Sequence, residues 1–160
     1  MRPNARELEA KATRIGLFIN LGGPFALALA AILLVESGTI RPSMNFVETP
    51  LIFYVLGAVA IMELAAGHFV RKALFAPSKA REVMGDARKA EQWVVRSSIV
   101  LFALGASPMF YGVVVFILGG EMTQLAFFGI LTLAGYRLLR PSASFLEETF
   151  TAAERPGSPN

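Results

Sequence analysis

The chain has no cysteine and only one histidine, His68. Disulfides, thiol catalysis and thiolate metal sites are therefore excluded, and one imidazole cannot assemble a zinc site. Charge is also sparse: 17% of residues are charged, against about 25% in soluble domains. No strand is predicted, so no glycine-rich phosphate loop follows one. What fills the chain instead is apolar: 54% of residues are hydrophobic and the mean hydropathy is +0.55. A single membrane span does not account for that composition; several are needed. A length of 160 residues implies one domain.

The run from Ile99 to Leu118 organises the rest. Its twenty residues carry no charge, and a helix of that length rises ~30 Å, about the hydrocarbon thickness of a bilayer. Gly105, Pro108 and Gly112 within it are spaced to share one helical face. Small residues let a neighbouring helix approach, so this face is a packing hub.

Three further runs have the same character: 15–35, 51–70 and 122–139. The segment 1–14 is polar and basic, with Asn4 and Glu7 in capping-box order, which predicts a helical lead-in. The first run continues past Ala26-Leu27-Ala28, so it reads as an uncleaved span and not as a signal peptide. Gly22-Gly23-Pro24 predicts a kink there. A polar connection containing an Arg41-Pro42-Ser43 turn leads to the second span, in which Gly57, Ala60, Glu63 and Gly67 fall on one face. The linker 71–93 is charged and predicts an amphipathic surface helix starting at Pro77 and broken at Gly85. Trp93 and Arg96 suit the water–lipid boundary. Gly119-Gly120-Glu121 predicts a tight turn, and 141–160 reads as a disordered tail, with a short helix near Phe145 to Ala153 as the other option.

Positive charge sets the orientation. Four basic residues precede the first span, six lie between Arg71 and Lys89, and Arg96, Arg137, Arg140 and Arg155 share their side; Arg41 stands alone on the other. The expectation is an all-α, integral membrane, four-helix antiparallel bundle with cytoplasmic N- and C-termini. The basic residues act as topology signals, not as a nucleic-acid surface. Gly23-Pro24-Phe25 parallels Ser107-Pro108-Met109, and Ala66-Gly67-His68 parallels Ala134-Gly135-Tyr136. These pairs suggest two tandem helical hairpins.

The Ser107–Gly120 stretch, SPMFYGVVVFILGG, resembles the helical hairpins of proteolipid c-subunits in rotary ATPases. More of the chain, roughly Gly57 to Pro141, resembles a group of small four-span bacterial membrane proteins of uncharacterised function. The matching residues are Gln92, Tyr111-Gly112, Gly119-Gly120 and Arg140-Pro141. The resemblance implies a bacterial inner (plasma) membrane location. It transfers no ion-binding residue, because Ala106 stands where the rotary subunits carry their carboxylate.

Glu63 is the one acid well inside a span, eight residues before Arg71 and so ~12 Å deep at helical rise. A carboxylate there costs about 2.5–3.5 kcal/mol, so it should face inward and find a partner or stay protonated. Asn20, ~9 Å deep, and Arg96, whose stem can bend inward, are the expected partners. Together they form the candidate intramembrane polar site; Gly67, Gly105, Pro108 and Gly112 are the candidate packing residues. Ser107 lacks a base nearby in sequence, and Tyr111 and Gln124 read as structural polar contacts. No cofactor or catalytic residue is expected. The small faces point to a non-catalytic membrane subunit or an assembly or stability partner. Its contacts would be the lipid bilayer and either another membrane protein or a second copy of itself. The other reading is a proton- or cation-linked transporter or conduit centred on Glu63.

Overall fold

The computed structural model describes residues 4–41 and 49–155, and every regular element among them is helical. In order these are α1 (Ala5–Gly16), a π-helical turn (Leu17–Gly22), α2 (Gly23–Glu36), α3 (Thr49–Leu74), α4 (Pro77–Val83), α5 (Ala87–Leu118), α6 (Met122–Leu139) and α7 (Ala143–Glu154). Four stretches are long and apolar enough to cross a membrane: Ala5–Glu36, Pro50–Leu74, Ala87–Leu118 and Met122–Glu154. Pro42 and Ser43 of the expected turn lie outside the described residues, as do 156–160.

Local chemistry explains the boundaries. Asn4 accepts from the Arg6 N–H at 3.2 Å, while Glu7 turns away from the cap to Lys11 at 3.3 Å. The π-helical turn ends where Pro24 lacks an N–H and its ring crowds the carbonyl four residues back. Asp86 accepts from the Arg88 and Lys89 N–H groups and starts α5 just after the break at Gly85. Gly119 has φ of 121°, a conformation a side chain would strain. Glu121 and Gln124 then form a reciprocal capping box for α6.

α5 is the central helix, touching α1, α2, α3, α4 and α6. Met109, Val113 and Phe116 pack on Ala28 and Ala31 of α2. Tyr111 and Val115 pack in the cluster around Ala60 of α3 and Phe128 of α6. At helical periodicity those two faces of α5 are turned roughly half a revolution apart. Thus α5 and α6 form a packed hairpin, whereas α2 and α3 scarcely touch, because α5 lies between them. The repeated Pro motifs also differ: Pro24 follows a π-helical turn and Pro108 sits within continuous α-helix.

One end of the bundle carries a folded cap. Leu8 and Ala12 of α1, Ala80 of α4, Val94 of α5, and Leu146, Phe150 and Ala153 of α7 are buried together. The expectation of a disordered tail is therefore corrected over 143–154: Ser142 caps a helix whose apolar stripe lies against α1 and α4. Trp93 is drawn into this cap as well, half-buried, donating its ring N–H to the Leu74 carbonyl at 3.2 Å and packing beside Phe75. Lys11 bonds Glu91 at 2.9 Å and Arg140 bonds Glu9 at 2.6 Å, so ion pairs join α1 to α5 and to the end of α6. The N-terminal helix, the basic linker and the C-terminal helix thus share one end of the molecule. Arg81 closes α7 by donating to the Ala153 and Arg155 carbonyls at 3.0 and 3.2 Å. Arg81→Ala should loosen α7 by about 1 kcal/mol, the worth of a typical hydrogen bond. Faster limited proteolysis around Arg155, with an unchanged melting profile for the bundle, is the expected readout.

Candidate functional site

Glu63 projects from α3 onto α5, and both of its carboxyl oxygens are engaged. Ser107 Oγ lies 2.6 Å from Oε2, and the Tyr111 hydroxyl donates to Oε1 at 2.7 Å. Ser107 and Tyr111 are four residues apart, one turn of α5, so both hydroxyls point from one face. All three side chains are half-buried. Ser107 Oγ also lies 2.8 Å from the Leu104 carbonyl, so its single proton faces two acceptors.

The expected partners of Glu63 are corrected on both counts. Arg96 is exposed and stands eleven residues before Ser107 on α5, ~16 Å along the helix axis and beyond side-chain reach. Asn20 is fully buried but packs against Gly105, which lies ~200° around α5 from Ser107. The body of α5 separates Asn20 from the carboxyl. Tyr111 is a structural polar contact, as its sequence reading had it, but its pairing with Glu63 and the part played by Ser107 were not expected; their four-residue spacing in one apolar span was the available signal.

Asn20 forms a second polar spot. Neither its amide nitrogen nor its amide oxygen has a hydrogen-bond partner among the described residues, and the same holds for the Thr132 hydroxyl on α6. Both side chains are completely buried. The helices approach closely here: a Cβ built on Gly135 would meet the Gly105 backbone at 3.1 Å, and one on Gly105 would meet Asn20 Nδ2 at 2.8 Å.

The candidate packing residues are all buried. Gly112 faces Phe128, whose Cβ would lie 2.7 Å from an added methyl, and Pro108 is enclosed on the same side of α5. Gly67 receives Leu139 of α6, while Leu64 of α3 fills the notch at Gly135. These reciprocal contacts seat α3 on α6. His68 is exposed, and among the described residues no three His, Cys, Asp or Glu side chains gather as metal ligands.

No protein-family model matches the chain, and neither a curated protein nor a solved structure does. The resemblance to proteolipid subunits and to small bacterial membrane proteins rests on the quoted residues alone.

Proposed function

We propose that the chain is a non-catalytic, multi-pass membrane protein acting as a subunit or an assembly or stability partner. The carrying observation is the Glu63 contact: both carboxyl oxygens face hydroxyls of α5 across a helix interface. An acid held that way locks α3 to the central helix, the role expected of a structural polar clamp. Co-purification from native membranes in mild detergent tests the reading. A stoichiometric membrane partner or a stable homo-oligomer is the expected result; a monomer with no companion counts against it.

The second reading is a proton- or cation-linked conduit centred on Glu63. It is favoured by the placement of a lone carboxyl well inside a span, against two hydroxyls of α5. An ionisable side chain at that depth is a candidate relay element. Proton flux into proteoliposomes that Glu63→Gln abolishes would support this reading over the first.

The location that goes with either reading is a bacterial inner membrane with both termini cytoplasmic. The capped end carries nearly all the basic residues, which the positive-inside rule assigns to the cytoplasm. Reporter fusions after Arg140 and within 79–89 should read cytoplasmic, and one at Arg41 external. An external signal from the linker would reverse the orientation.

A further inference from the structure

We infer that the cavity where α3 ends against α6 and the start of α7 binds the phosphate headgroup of an anionic membrane lipid. The cavity measures about 310 Å³ and is lined by Arg71, Tyr136, Arg137, Arg140 and Ser142. Its lining supplies three guanidinium groups and two hydroxyls. Glu9 already compensates Arg140, at 2.6 Å. The other two arginines have no carboxylate within salt-bridge distance among the described residues. Arg71 is held over the Phe145 ring at 4.0 Å and donates to the Leu138 carbonyl at 2.9 Å, while its Nε has no partner among the described residues. A ring and a carbonyl orient a guanidinium without neutralising it. Arg137 is exposed beside it. Planar guanidinium groups present paired N–H donors that match phosphate oxygens, so the unmatched charge selects a phosphate anion.

Position selects a lipid over free phosphate. Arg71 and Arg137 mark the ends of the apolar runs of α3 and α6, the level at which headgroups lie. Leu133 and Ile130 stand one and two turns before Arg137 on its face of α6, and are 47% and 66% exposed. With Phe25, Leu29 and Ile32 of α2 they line an apolar groove of about 370 Å³. An acyl chain in that groove would carry its phosphate to Arg137.

The test uses the full chain in neutral detergent. Native mass spectrometry follows retention of phosphatidylglycerol and of phosphatidylcholine with the same acyl chains, with and without excess inorganic phosphate. Phosphatidylglycerol should be held about tenfold more tightly, and Arg137→Gln should weaken it about fivefold, the usual effect of one basic residue at a membrane surface. Lys89→Gln, an exposed basic change on α5 that lines neither cavity, should leave retention unaltered. Equal retention of the two lipids would overturn the proposal, as would equal weakening by Lys89→Gln. Displacement of phosphatidylglycerol by inorganic phosphate would assign the cavity to the free anion and refute the lipid.

Discussion

Gly112→Leu should lower the stability of the bundle in detergent by about 3 kcal/mol, the upper part of the usual range for overpacking a filled interior. The reason is geometric. A Cβ at this position would lie 2.7 Å from the Phe128 Cβ, with the ring carbons at 3.1 Å. The Phe128 Cβ is fixed to its backbone, so no rotamer change can clear the clash, and α6 must move away from α5. Phe128 is itself fully buried, between α3 and α5, so the displacement would also disturb the seat of α3. Val114→Leu is the control. Val114 lies two positions on, ~200° around α5, and is 47% exposed. It should change stability by no more than about 0.5 kcal/mol, as surface substitutions do. Matching unfolding midpoints for the two variants would show that the α5–α6 contact is misassigned.

At Glu63 the expected effects separate shape from charge. Glu63→Leu removes the acceptor for the half-buried Tyr111 hydroxyl and should cost about 1 kcal/mol, the worth of a typical hydrogen bond. Glu63→Gln should stay within about 0.5 kcal/mol of the parent. Its amide oxygen accepts from Tyr111, and its amide nitrogen donates to Ser107 Oγ, freeing the serine proton for the Leu104 carbonyl. A double-mutant cycle with Tyr111→Phe should return a coupling of about 1 kcal/mol for a direct hydrogen bond. No coupling would mean that the clamp does not contribute to stability. The same glutamine variant separates the two functional readings. As a pure clamp it leaves vesicle permeability unchanged, whereas a relay carboxyl cannot be replaced by an amide that does not titrate.

Apolar length placed the four spans, and Gly119 stops α5 where a tight turn was expected; the start of α5 at Ala87, behind the Asp86 cap, precedes the apolar run that begins at Ile99. Helical period alone put Gly105, Pro108 and Gly112 on one buried face, because a 3.6-residue repeat is a property of the backbone. Depth estimates put Glu63 and Asn20 at similar levels, since rise per residue is equally local. Which side of α5 each one meets was invisible, because periodicity says which residues share a face and not which helix docks there. Ser107 and Tyr111 are 44 and 48 residues from Glu63, and only the seating of α3 on α5 brings them together. In the tail, a short helix near Phe145 to Ala153 was one of two sequence readings, and packing decided for it. Leu146, Phe150 and Ala153 form a stripe too short to fold alone, and burial against α1 and α4 makes them a helix. The sequence by itself determined the four apolar runs and the small faces, each encoded within a few residues. The tertiary structure decided the partner of Glu63, the isolation of Asn20 and the position of α5 between α2 and α3, because these depend on how helices are rotated about one another.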